Sequence, residues 1–252
     1  MKLARLFTVL AIAAFTLPAY AQLVVFCPGA VRGTVTELAR EFERASGQTV
    51  KFEFGTAGAV QKRVAAGEAY DVAITTSTAV DALIAQGRVA TGSRRDLGSV
   101  GVGVAVRAGG AAPDISTPER FRAAMLAARS VMYADPAAGG QSGIHTARVF
   151  EQLGIAEAMK AKSALRPGAP EGLAEVARGD IEIGIGQVSE IVAAPGVVLV
   201  GPLPAPLQNT LTFSAGLSPA SRDSNAARAF IAALVAPNAR ARFKAAGFDV
   251  AP

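Results

Sequence analysis

Three short turns rich in small residues carry the clearest chemical signal in this chain: Gly29-Ala30-Val31-Arg32-Gly33-Thr34, Gly55-Thr56-Ala57-Gly58 and Gly139-Gly140-Gln141-Ser142-Gly143. Each comes after an apolar run that reads as a strand and before a segment of helical periodicity. In parallel α/β sheets such strand ends face the ligand, because helix N-termini there present unpaired N–H groups and partial positive charge. Small side chains let those N–H groups approach a bound anion. One turn alone is ordinary capping chemistry, but three converging across a cleft would form an anion cage. Other chemistries are poorly supplied. A single histidine and a single cysteine cannot make a zinc site of the N/S type. None of the turns matches G-x-x-x-x-G-K-[ST] or G-x-G-x-x-G, and neither a G-x-S-x-G elbow nor an H-E-x-x-H helix occurs. No cofactor and no metal is expected. Asp71 reads as a structural carboxylate bonding backbone at a strand start, and Cys27 as a buried strand or strand-end residue.

The elements that must position these turns alternate in kind. Leu23–Phe26 is a continuous apolar run of the sort covered on both faces of a sheet, stopped by Pro28-Gly29. Val31, Val35, Leu38, Ala39 and Phe42 then recur at helical spacing up to Gly47. Val50, Phe52 and Phe54 alternate with Lys51 and Glu53, a second strand. A helix to Gly67, a strand at Asp71–Thr75 and a helix capped by Ser77 or Thr78 follow. The pattern repeats from Val100–Val106 onward, with helices opened by Thr117-Pro118-Glu119, Ser142 and Pro170-Glu171, and strands at Ser130–Ala134, Ile181–Ile185 and Val197–Val200. A long strand over Leu207–Leu217 precedes two last helices, Arg222–Val235 and Asn238–Ala246. The class is α/β: two lobes, each a mainly parallel sheet flanked by helices, with crossing segments near Val104–Arg107 and Gln208–Phe213. Residues 22–106 with 210–252 make the first lobe and residues 107–209 the second.

Composition narrows the function. The chain has 252 residues, 51% of them hydrophobic and 18% charged, which suits a folded globular protein. Lys2 and Arg5 precede an apolar stretch from Leu6 to Leu17 that ends in Ala19-Tyr20-Ala21, the three parts of a cleaved export signal. Its apolar part is too short to span ~30 Å of hydrocarbon. Removing residues 1–21 leaves 231 residues and lowers the formal charge from +5 to +3, with the remaining charges scattered. Nucleic acid is therefore excluded as a partner, since no basic block or exposed aromatic platform is present. A periplasmic monomer is expected.

Beyond these patterns, Glu37–Glu43, Gly55-Thr56-Ala57-Gly58, Gly67-Glu68-Ala69-Tyr70-Asp71-Val72, Asp135-Pro136 ahead of Ser142-Gly143, Gly179–Gly184 and Ala215-Gly216 occur in an order that resembles periplasmic solute-binding proteins of the molybdate-binding type. The likeness runs over the whole exported chain. It implies two lobes joined by a two-stranded hinge, a small anion trapped between them, and delivery to an ABC permease. In the molybdate-binding members two serines and a tyrosine help to surround the dianion; Ala30 and Ala57 stand at the serine positions here and Gln187 at the tyrosine position. The resemblance thus implies either a molybdate-like oxyanion or an organic carboxylate, the latter addressed by Arg32, Thr56, Gln141, Ser142, His145 and Gln187, with Gly58 and Gly143 in the same turns. The sequence also resembles a branch that includes aconitate isomerase. That branch implies an alternative in which His145 is the base of an allylic proton shift and Arg32 holds a carboxylate.

Overall fold

The computed structural model describes residues 22–250. The expected export signal lies outside the described residues. Strand β1 (Leu23–Pro28) leads through a 3-10 turn into α1 (Arg32–Ser46), followed by β2 (Val50–Gly55), α2 (Ala57–Ala65), β3 (Val72–Thr76), α3 (Ser77–Ala85) and the long β4 (Arg95–Arg107). The second set comprises α4 (Pro118–Ala127), β5 (Val131–Ala134), α5 (Gln141–Gln152), α6 (Ala156–Lys160), β6 (Ser163–Arg166), α7 (Ala169–Arg178), β7 (Ile183–Gln187), α8 (Val188–Ala193) and β8 (Val197–Pro202). The chain then returns through β9 (Thr210–Leu217), α9 (Ser224–Leu234) and α10 (Pro237–Ala245).

The strands run in the order β2-β1-β3-β9-β4-β7-β5-β6, with β8 also on β4. Two parallel blocks, β2-β1-β3 and β7-β5-β6, flank an antiparallel middle made by β9, β4 and β8. The expected two-lobed α/β class is thus the observed one, with antiparallel strands added where the chain crosses. β4 changes partners along its length: Arg95–Gly101 pairs with β9, whereas Val102–Arg107 pairs with β7 and β8. Gln208 clamps that point, its Oε1 accepting from Val102 N–H (2.8 Å) and its Nε2 donating to Val102 O (2.9 Å). The side-chain amide thereby substitutes for one rung of a β ladder.

The core is divided in the same way. One cluster joins Val25, Val35, Leu38 and Ile74 to Phe213, Phe230 and Phe243; another joins Val104, Phe121, Met125, Val131, Phe150 and Ile185. Phe42 on α1 meets Phe230 on α9 edge-on at 5.3 Å, so the returning C-terminal helices are bound to the first lobe by aromatic burial. Capping residues set the helix starts: Thr56 accepts from Ala59 N–H, Thr76 from Ala79 N–H and Thr117 from Arg120 N–H. Gly47 ends α1 at φ 72°, a left-handed cap that other residues adopt only with strain.

Candidate functional site

The starts of α1, α2, α5, α7 and α8 point into one cavity of about 240 Å³ between the lobes. Of the residues singled out in the sequence, it brings together Ala30, Arg32, Thr56, Ala57, Gln141, Ser142 and Gln187 in the cavity wall. Pro28, Phe54 and Phe213 add apolar surface. No side-chain cap closes the turn into α1, or the N-termini of α5 at Gly140 and of α7 at Gly168. Backbone N–H groups there remain available to a negatively charged occupant, and the helix dipoles favour one. Arg32 is exposed at this wall, with its guanidinium carbon 4.1 Å from the centre of the Phe54 ring. That cation–π contact limits the side chain's freedom and orients the one arginine of the cavity lining.

Other expected residues have different duties. His145 is outside the cavity lining; its Nε2 lies 2.7 Å from Leu207 O, so the ring ties α5 to the segment before β9. Gly143 is also outside the lining: a Cβ there would sit 1.7 Å from Ala134 O, so this glycine lets α5 press against the end of β5. Gly58 faces the opposite lobe, where its N–H donates to Gly139 O at 3.2 Å and a Cβ would come within 3.0 Å of Gly139. Thr56 lines the cavity, but its hydroxyl is already used: Oγ1 accepts from Ala59 N–H and donates to Ala138 O at 2.6 Å. Asp71 has the structural role read from sequence, accepting from Val24 N–H (2.8 Å) and from the Ser221 hydroxyl (2.6 Å). Cys27 is fully buried, and burial pushes its thiol pKa far up, which leaves it unreactive at neutral pH.

Two features of the wall escape sequence reasoning. The first is Glu190, in the first turn of α8. Its Oε2 accepts from Gln187 N–H at 3.2 Å, and its Oε1 lies against Gly29 across the cleft, where a Cβ would come within 2.5 Å. Burial pushes its carboxyl up from the ordinary 4.5 to about 7, against the opposing pull of the Gln187 N–H and Arg32. The second is the unsatisfied side chain of Gln187, a residue whose place in the site the sequence does suggest. It is 3% exposed; its Oε1 is turned toward the Glu190 N–H as in a capping box but outside hydrogen-bond geometry, and Nε2 has no partner. Such an orphaned buried group costs about 1–3 kcal/mol, so a bound molecule that pairs it recovers that energy. The Gly168–Glu171 turn also lines the cavity; Pro170-Glu171 is legible in the sequence as a helix start but not as part of the site. Among the described residues no cluster of His, Cys, Asp and Glu is arranged to hold a metal ion.

This arrangement of two lobes around a small polar cavity has known relatives. Residues 23–249 match the bacterial extracellular solute-binding protein family, and the chain belongs to that family. It is 34% identical over 238 residues to a protein of a Pseudomonas species named aconitate isomerase, covering 91% of this chain and 88% of the relative. The Azotobacter vinelandii periplasmic molybdate-binding protein superposes with a TM-score of 0.75 at 21% identity, over 91% of this chain and all 100% of that one. A substrate-binding protein of an ABC transporter from Agrobacterium tumefaciens gives a TM-score of 0.70 at 16% identity, over 90% and 78% of the two chains. At these identities the two solved structures establish the shared fold.

Proposed function

We propose that this chain is a periplasmic receptor for a small organic carboxylate, held between lobes formed by residues 22–106 with 210–252 and by residues 107–209, and handed to an ABC permease. The observation that carries this reading is the convergence of uncapped helix starts and Arg32 on one cavity of about 240 Å³. Its size is below the ~300–1,000 Å³ of drug-sized pockets, so the occupant is small. Its apolar walls at Pro28, Phe54 and Phe213 suit a carbon skeleton better than a bare oxyanion. Ala30 and Ala57 offer no hydroxyl to a molybdate ion. The chain acts as a monomer whose lobes close over the ligand by bending at β4 and at the segment before β9, which excludes water and strengthens the polar contacts.

Calorimetric titration with molybdate, sulfate, citrate and both aconitates tests this. Carboxylate binding is expected, with Arg32→Ala weakening it by roughly 10–100-fold. Tight molybdate binding without carboxylate binding would overturn the reading.

A second reading, isomerisation of aconitate in the same cavity, is supported by the aconitate isomerase relative and by Glu190. The shift requires a base to take a proton from the saturated methylene carbon, movement of the double bond, and return of a proton to the former vinylic carbon. A carboxyl with a pKa of about 7 at the cavity wall suits both transfers. His145, engaged with Leu207 and away from the wall, does not. On this reading Glu190→Gln abolishes interconversion of the aconitates while retaining their binding; unchanged turnover removes Glu190 as the base.

A further inference from the structure

We propose that the ligand is a carboxylate that also carries a hydrogen-bond donor, a hydroxyl or an ammonium group, and that this donor docks on Gln187. The inference rests on the carboxylate reading above and specifies its substrate class. The starting point is the unsatisfied amide: Gln187 lines the cavity and is 3% exposed, its Nε2 has no partner, and its Oε1 is turned toward the Glu190 N–H in a capping-box arrangement but stays outside hydrogen-bond geometry. An amide presents donors and an acceptor side by side. A carboxylate alone satisfies Nε2 and leaves Oε1 unpaired; a hydroxyl satisfies both, accepting from Nε2 and donating to Oε1.

The rest of the cavity is polarised to match. Donors come from Arg32 and from the open N–H groups that begin α5. Acceptors come from Glu171 and Glu190 as well as Gln187 Oε1, all at the starts of α7 and α8. Glu190 Oε2 is occupied by Gln187 N–H, and Glu171 adds a second carboxyl group to this side. An anion that offers only acceptors brings no donor to the oxygens on this side. A ligand with its carboxylate toward Arg32 and α5, and its donor toward Gln187, meets both sides.

Matched ligands test this without any variant. Calorimetry on the mature protein compares succinate with L-malate and L-aspartate, and tricarballylate with citrate. The donor-bearing member of each set is expected to bind at least about tenfold more tightly, because the analogue lacking the donor leaves Gln187 Oε1 unpaired. Malate against aspartate tells hydroxyl from ammonium. In Gln187→Met, which keeps length and removes both polar atoms, the preference is expected to fall to about twofold or less, with a thermal melt confirming the folded state. Equal binding of succinate and tricarballylate with their partners overturns the inference, as does a preference that survives in Gln187→Met. Failure of every carboxylate to bind is a different result and overturns the underlying reading as well.

Discussion

Glu190 and His145 show how burial and partners assign roles that residue type alone does not. The Glu190 carboxyl is raised from 4.5 to about 7, so it remains neutral in the folded protein over a range where the unfolded chain ionises it. Below pH 4.5 both states are protonated and the group does not oppose folding; stability is lost as pH rises from there through about 7, and is then constant. Glu190→Gln removes this dependence. Denaturant unfolding should find the variant equal to wild type at pH 4 and more stable at pH 8, by up to about 3 kcal/mol. Equal stability at both pH values would show that the carboxyl is not perturbed. His145→Ala should leave ligand affinity unchanged and cost about 1 kcal/mol through the lost contact with Leu207 O, read by the same unfolding measurement. The difficulty in the sequence is specific: a lone histidine near a helix start looks chemical, whereas a glutamate in a short helix looks like solvated surface. Only the packing of α8 against Gly29 distinguishes them.

Among the elements, the long amphipathic ones and the apolar short strands β3 and β5 are legible, whereas β6 and α8 are not. The spacing of Val35, Leu38, Ala39 and Phe42 marks α1, and the alternation of Val50, Phe52 and Phe54 marks β2. β6 has four residues at a sheet edge and α8 only six, too short for a hydrophobic period to declare itself. β4 begins at Arg95 and not at the expected Val100, because an irregularity between Asp96 and Gly98, with Gly98 at φ 149°, breaks the alternation that would have revealed its first half. The three small-residue turns all border one cavity, but the division of labour within them is not visible in the sequence. Gly143 shows why: its role is contact with Ala134 O in a different element. Gly143→Ala is expected to displace α5 from β5 and to destabilise by about 2–4 kcal/mol in chemical denaturation. A loss under 0.5 kcal/mol would mean that the interface yields freely.

At the scale of the whole molecule, the lobes meet through a few directed bonds: Thr56 hydroxyl to Ala138 O, Gly58 N–H to Gly139 O, and Ser189 hydroxyl to Ala30 O. Thr56→Val removes one of these and also the cap of α2, so a loss of about 1–2 kcal/mol is expected, with weaker ligand binding if the lobes must meet to hold it. The order of strands has a consequence for how the molecule is made. β3 pairs with β9, so Val72 lies beside Leu217, and the first lobe's core includes Phe230 and Phe243. Its opening strands are synthesised long before their partners exist. Contacts this distant in sequence form slowly, and partial chains expose unpaired strand edges. The second lobe is built from neighbouring segments, whereas the first is complete only when β9, α9 and α10 are present. A chain cut before β9 is therefore expected to leave the first lobe open to protease, which limited proteolysis of such a fragment checks.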